Sequence, residues 1–479
     1  MNIDKYTQIC SDSRCVTAGS LFVAVKGYAA DGHDYIASAL EKGAAAIVYE
    51  DSAKLQEQVL KAGGEDAFKK VEFLRTDNSR KAVALLADEF YGHPSRKLTL
   101  VGITGTNGKT TTVTLLYNLF TRLGHKCGLL STIANFIGEE RSEAVNTTSD
   151  PITINRLMAR MVEEGCSHCF MEVSSIGLEQ DRVAGLHFAA GIFSNLTHDH
   201  LDYHKTFSEY LRCKKLFFDN LPADAVAITN VDDKNGMVMM QNTRARVVTY
   251  SCRKMADHSC RILEKSFEGM LLKIDGTEIW CPLIGEHNAY NALAIYCAAI
   301  STGATKQEAL VGLSAVGQVC GRLEVIHAPK GISVVIDYAH TPDALQNVLK
   351  ALREIAPERT LTCLFGCGGD RDRSKRPEMG AIAATLSDRV IVTSDNSRTE
   401  KTCDIIADIK AGISPSQTAK VLSLEDRKEA IRLAILSAKE NETILLAGKG
   451  HENYQILDRE KLHFDEREVV AAVIEEMNR

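Results

Sequence analysis

The chain has 479 residues, 45% hydrophobic and 25% charged, which is room for about three domains of ordinary globular composition. Lys and Arg number 56 against 63 Asp and Glu, a formal charge of −7 that argues against a nucleic-acid partner, since phosphate backbones select basic surfaces. No apolar run approaches the roughly 20 residues that span a bilayer, and the start MNIDKYTQICSDSR lacks the apolar core of a signal peptide, so a cytoplasmic protein without membrane insertion is expected.

Three segments follow one another. Residues 1–93 contain the strand LFVAV, the helix DYIASALEKG and the strand AAAIVYE, and end in FYGHPSRK, which reads as a linker at Pro94. Residues 94–321 carry the apolar runs LTLVGIT, HCFMEV, AAGIFSNL and AVAITNV with helical patterns between several of them. That alternation predicts a mostly parallel sheet covered on both faces. Residues 322–479 alternate again, through SVVIDYA, a helix from TPDALQNVLKALREIA, LTCLFG, a helix around PEMGAIAATLS, RVIVTS and TILLAGKG. The expected fold is therefore α/β in three domains, with a central P-loop ATPase-like parallel sheet and a C-terminal Rossmann-like domain. Ligands in such sheets bind beyond the carboxyl ends of the strands.

The most informative stretch is the junction at Gly105. A buried strand ends at Thr104, Gly105-Thr106-Asn107-Gly108-Lys109-Thr110-Thr111 follows, and Leu116, Leu119, Phe120 and Leu123 then mark one face of a helix that stops at Gly124. Glycines let backbone N–H groups approach phosphates, and a helix N-terminus favours their charge. Lys109 can reach the outer phosphates and the Thr110 hydroxyl can bind Mg²⁺. The full G-x-x-x-x-G-K-T spacing is not met, because Ile103 holds the first glycine position; a plain glycine-rich turn is the alternative. The fourteen cysteines are scattered, and the one CxxC, Cys166 and Cys169, runs into an apolar strand, so buried thiols are expected ahead of a metal or redox site.

Glu172 stands at a strand end in FMEVSS. Asp199, His200 and Asp202 lie beyond another strand in NLTHDHLDYH, and Lys214 sits on a helical stretch, EYLRCKKLFF. Singly these read as a strand-end carboxylate, loop residues and a solvated lysine. Together with GTNGKTT, HNAYNA, GRLE, DYAHTPDAL, GCGGDRDRSKRP, SDNSR and GKGHENYQ, the chain resembles the Mur ligase family over essentially its full length. The family comprises ATP-dependent amide-forming enzymes of peptidoglycan synthesis. The later motifs, with SDSRCVTAGSLFVAVKG, resemble the member type that adds meso-2,6-diaminopimelate to UDP-N-acetylmuramoyl-L-alanyl-D-glutamate.

The resemblance implies roles at matching positions. Lys214 falls where the family carries a carbamylated lysine, and Glu172 and His200 match the other ligands of a second Mg²⁺; Thr110 matches a ligand of the first. Asn288, Asn291 and Arg322 match nucleotide contacts, and Asp337 and His340 match residues that approach the nucleotide on closure. Lys109, Lys214, His200 and Arg322 form the implied catalytic set. Ser13 matches a UDP contact. Asn146, Thr147, Thr148, Ser174, Gln180 and Arg182 match positions that hold the muramoyl dipeptide. Arg371, Asp395, Asn396, Ser397, Arg398, Gly448 and Glu452 match contacts to the diamino acid. The implied partners are these small molecules and ATP, handled by a monomer whose third segment closes over the second about a hinge near Gly321.

Two departures stand out. The usual DNPR is DNSR here, with Ser397 for proline, which frees φ and suggests a looser turn. Arg398 is kept, which favours diaminopimelate over lysine and leaves a related diamino acid open. Ile176 replaces a histidine found in many relatives, so any role of that ring is absent or moved. The rival readings are a folylpolyglutamate synthetase, a nucleotide-gated scaffold without turnover, and a P-loop kinase.

Overall fold

The computed structural model describes residues 2–28, 30–64, 69–197 and 201–478. His198, Asp199 and His200 lie outside the described residues. Among the described residues the chain forms three main sheets, each covered on both faces, and a two-stranded hairpin.

The first sheet is parallel, in the order Ile9–Cys10, Leu21–Val23, Ala46–Tyr49, Glu72–Arg75. Alternation sends Phe22 and Ile47 to one apolar cluster and Leu21, Val23 and Val48 to the other.

The central sheet has 11 strands. Its middle is parallel: Arg246–Ser251, Val226–Asn230, Ala190–Phe193, Thr99–Thr104, His168–Glu172 and Cys127–Leu130. Val101 and Ile103 pack with the helices Lys109–Arg122 and Glu286–Ser301, while Leu100 faces Pro151–Glu163 and Phe207–Asp219. The expected parallel core is present and gains His258–Ser266, parallel to Arg246–Ser251, but antiparallel strands extend it at both ends, Asn135–Ile137 with Glu140–Ser142 on one side and Gly269–Ile274 with Thr277–Cys281 on the other.

The third sheet has six strands, one antiparallel at its edge (Glu324–Ala328) and then Ile332–Asp337, Thr443–Ala447, Leu361–Phe365, Arg389–Val392 and Val421–Ser423 in parallel. Ile332, Val334 and Ile336 pack on one side and Val335, Cys363 and Phe365 on the other.

The joints between sheets are packed. FYGHPSRK is not a loose linker: Pro94–Lys97 is a 3₁₀ turn with Pro94 and Ser95 buried, and the Ser95 hydroxyl accepts from the His187 amide at 3.0 Å. At the second joint Gly321 has φ +63, and a Cβ there would stand 2.1 Å from the Gly450 carbonyl carbon, so only glycine lets the two backbones approach. Cys166 and Cys169 are free, buried thiols, and burial pushes both upward from the usual thiol range.

Candidate active site

The strands Thr99–Thr104, His168–Glu172 and Ala190–Phe193 end side by side, and the loops beyond them line a cleft of about 610 Å³ roofed by the segment Asp337–Thr341 of the third sheet. Gly108 opens the helix Lys109–Arg122 with φ +89 and no side-chain cap, leaving its first N–H groups facing the cleft; a Cβ there would lie 2.4 Å from Asn291 Oδ1. Lys109 Nζ folds back to donate to the Gly105 and Thr106 carbonyls at 2.9 and 2.8 Å. Asn107 is held by its own N–H donating to Asn195 Oδ1 at 2.9 Å, and its amide reaches across to Asp343 on the third sheet's first helix at 3.4 Å. Thr111 is buried on the next residue of the helix. Asn291 donates to Asn288 Oδ1 at 2.8 Å, so the two asparagines form one polar floor.

Glu172 is fully buried at its strand end. Oε1 accepts from the Thr132 amide at 2.8 Å, while Oε2 has no hydrogen-bond partner among the described residues. A buried carboxylate oxygen left so is costly unless a cation or donor completes it. Lys214, 1% exposed, donates to the Gly105 carbonyl at 2.6 Å and lies 4.7 Å from the Tyr210 ring centroid. Its ε-nitrogen thus sits directly beneath the phosphate loop. Arg322 crosses from the joint: Nη2 donates to Thr110 Oγ1 at 3.2 Å and the guanidinium stacks on Tyr338 at 4.7 Å.

Asp337 does not aim a free carboxylate at the cleft. It accepts from the Leu323 and Ala339 amides at 2.8 Å each, so it clamps the backbone that carries Arg322. Burial pushes its carboxyl up. His340 is exposed at the rim, 4.7 Å from Tyr338.

Of the dipeptide set, Thr147, Thr148, Ser174, Gln180 and Arg182 come together beside Glu172. Thr148 Oγ1 donates to the Glu172 carbonyl at 2.9 Å and accepts from the Ser174 amide at 2.9 Å; Arg182 donates to the Thr148 carbonyl at 2.6 Å and to Gln180 Oε1 at 2.8 Å. Thr147 accepts from Thr132 at 3.1 Å. Asn146 is exposed and does not line the cleft, and Ser13 is buried in the first unit, where its carbonyl accepts from Lys42 Nζ at 2.8 Å. Tyr28, Arg80 and Tyr203 are a junction the sequence did not disclose. Tyr203 donates to Glu179 at 2.7 Å, Tyr28 also bonds Glu179, and Arg80 stacks on Tyr28 at 4.2 Å, joining the first unit to the cleft wall.

The remaining set forms its own cluster at the carboxyl ends of the third sheet. Arg398 donates to the Gly369 carbonyl at 2.7 Å; Asn396 donates to Glu452 at 2.9 Å; the Gly448 amide donates to the Asp337 carbonyl at 3.0 Å. Arg371 is exposed beside it. The turn at Ser397 is not loose. Its carbonyl accepts from the Glu400 amide at 3.0 Å, and the Arg398 amide donates to Ile456 at 3.2 Å, so backbone bonds supply what a proline ring would. Two buried arginines underlie these loops: Arg376 donates to Glu400, Asp408 and the Gly368 carbonyl, and Arg427 to Glu466 and the Ser394 and Ala447 carbonyls. Ile176 is half-buried; next to it the buried His204 ring bonds the Ser175 hydroxyl at 2.9 Å.

A P-loop sheet joined to a second α/β unit that sends an arginine into the phosphate site defines a three-unit nucleotide-dependent α/β protein. The comparisons narrow this. Residues 5–91 match the description "Mur ligase family, catalytic domain", 103–299 "Mur ligase middle domain" and 321–450 "Mur ligase, glutamate ligase domain". The chain is 51% identical over 468 residues to the UDP-N-acetylmuramoyl-L-alanyl-D-glutamate–2,6-diaminopimelate ligase of Parabacteroides distasonis, covering 98% of this chain and 94% of that one. It is 49% identical over 469 residues to the Bacteroides fragilis protein of that name, covering 98% and 94%. A solved structure of a ligase of that name superposes with a TM-score of 0.72 at 30% identity, over 99% of this chain and 96% of the other. The chain belongs to the Mur ligase family.

Proposed function

We propose that this protein is the ATP-dependent ligase that adds meso-2,6-diaminopimelate to UDP-N-acetylmuramoyl-L-alanyl-D-glutamate, working as a cytoplasmic monomer. The observation that carries the reading is the meeting, in one cleft of one chain, of the phosphate loop, the unpartnered Glu172 oxygen, the buried Lys214 and Arg322. Relatives near 50% identity across almost their whole length carry that reaction in their names.

The chemistry follows from the layout. A carboxylate is a poor acyl donor at neutral pH. An oxygen of the D-glutamate γ-carboxylate attacks the ATP γ-phosphorus, the bond to the bridging oxygen breaks, and ADP leaves. The neutral amine of diaminopimelate then attacks the acyl carbon; the tetrahedral intermediate expels phosphate and the nitrogen gives up its proton. Lys109 turns from its loop carbonyls to the phosphates, and Arg322 meets them from the opposite side; both offset the repulsion between triphosphate and carboxylate. Asn288 and Asn291 seat the nucleotide with the backbone of residues 105–111. Thr147, Thr148, Ser174, Gln180 and Arg182 hold the dipeptide with its carboxylate toward Glu172, and the first unit takes the UDP end. The donor set fits Mg²⁺, a hard cation that takes oxygen: the Thr110 hydroxyl, the free Glu172 oxygen, carbamylated Lys214 and His200 would hold two ions, which supply charge neutralisation at the phosphates. Asp337 and His340 keep the third unit's roof in place as it closes, which excludes water from the acyl phosphate.

Phosphate release with UDP-muramoyl-dipeptide, ATP and a panel of amino acids tests the assignment. Release with diaminopimelate and little with lysine is expected. Equal release with no amino acid present would point away from a ligase.

A further inference from the structure

Beneath the loops that end the strands Arg389–Val392 and Thr443–Ala447 lies a cation the chemistry above does not use. Lys449 is fully buried, with Nζ 3.0 Å from Glu452 Oε2, 3.1 Å from Asn396 Oδ1 and 3.9 Å from Asp395 Oδ1. Asn396 donates through its own amide nitrogen to the same Glu452 oxygen at 2.9 Å. Asn396 Oδ1 also accepts from the Ile456 amide at 2.9 Å, so the ammonium and this backbone donor together set which way the Asn396 amide faces, and the ammonium and that amide together set where the Glu452 carboxylate stands. Burial alone would push the Asp395 carboxyl up, yet the Lys449 and Arg427 cations hold it below the usual carboxylate range. Lys449 serves two carboxylates and an amide, all on residues proposed to face the amino acid.

With Lys449 present, the acidic side of the pocket carries two carboxylates and one ammonium, a net −1. Arg398 stands next to it, donating to the Asn396 and Gly369 carbonyls at 3.3 and 2.7 Å, and Arg371 is exposed nearby. The distal end of diaminopimelate is a zwitterion, an ammonium beside a carboxylate; that of lysine is a bare ammonium. A more negative pocket helps the bare cation and repels the distal carboxylate.

We propose that Lys449 is a specificity-determining positioning residue, which orients Asn396 and Glu452 and cancels one of the two acidic charges so that the pocket accepts a zwitterionic end over a cationic one. This rests on the reading of the surrounding residues as the diamino-acid site. The test uses the full chain with Lys449→Met and with Lys449→Gln, which keeps polar contacts to Asn396 and Glu452 but not the charge. Phosphate release is measured with diaminopimelate and, separately, with lysine. The expected result is a KM for diaminopimelate raised at least about tenfold, KM for ATP within about twofold, and the preference for diaminopimelate over lysine reduced at least about tenfold. An unchanged preference, an equal loss with both amino acids, or failure of both variants to fold would overturn it in favour of a structural cation. A wild-type enzyme that takes neither amino acid fails the site reading and this inference with it; an intact preference in the variants fails this inference alone.

Discussion

Replacing Lys214 with alanine lowers turnover by about 10²–10³-fold, and added formate or acetate restores a measurable part of it. The magnitude is that of removing one preorganised charge from a water-poor site. Lys214 comes from the helix Phe207–Asp219, is 1% exposed, and reaches the Gly105 carbonyl under the phosphate loop. A permanent ammonium there faces an expensive desolvation. The carbamate proposed above, formed by the neutral amine with carbon dioxide and loss of a proton, would put an oxygen anion at the same spot, of the kind a hard cation needs. Alanine leaves a gap of the right size and polarity for a small carboxylate. Rate assays at rising formate check this. If activity is lost and no acid or bicarbonate alters the remainder, Lys214 acts only through packing.

The second large effect is on stability. Arg427→Met costs about 3–5 kcal/mol, because it strands Glu466 as a buried charge without its partner. Both side chains are fully buried, with the Arg427 Nε donor 2.9 Å from Glu466. For a unit of this size each kcal/mol moves the thermal midpoint by roughly 2–4 °C, so calorimetry of the third unit's transition reads a fall of about 6–20 °C. The double variant Arg427→Met with Glu466→Met regains most of it, since replacing a buried pair as a whole is far cheaper than breaking it. KM for the diamino acid also rises in the single variant, because Arg427 ties down the carbonyls of Ser394 and Ala447, each one residue before a proposed contact. An unchanged midpoint would contradict the pair's role.

Much of this was legible in the chain itself. The strand into Thr104, the glycines and the helix face at Leu116, Leu119 and Phe120 are local features, and the structure keeps them. The antiparallel additions to the central sheet were missed although one of them is signalled: Asp275-Gly276 both take positive φ, the pair a tight hairpin turn needs. Long-range pairings were not readable. Tyr28 and Glu179 are 151 positions apart, and nothing local marks either as a joint. Arg427 follows the helix cap Asp426 and looks like a solvated first turn; only the tertiary fold shows that it is buried. The same holds for Lys449: Glu452 stands three residues on, but nothing local shows that the lysine is buried or that Asp395 and Asn396 meet it. Asp337 lines the cleft, but nothing in the sequence marks that its carboxylate also clamps the Leu323 and Ala339 amides at the joint.

The central claim is that ATP makes the γ-carboxylate reactive by phosphorylating it. The direct measurement is oxygen transfer: UDP-muramoyl-dipeptide labelled with oxygen-18 in the D-glutamate γ-carboxylate is turned over with ATP and diaminopimelate, and the released phosphate is weighed by mass spectrometry. A carboxylate oxygen that attacks phosphorus leaves with it, so each phosphate is expected to carry a single labelled atom. Phosphate free of label, with amide product still formed, would contradict the account.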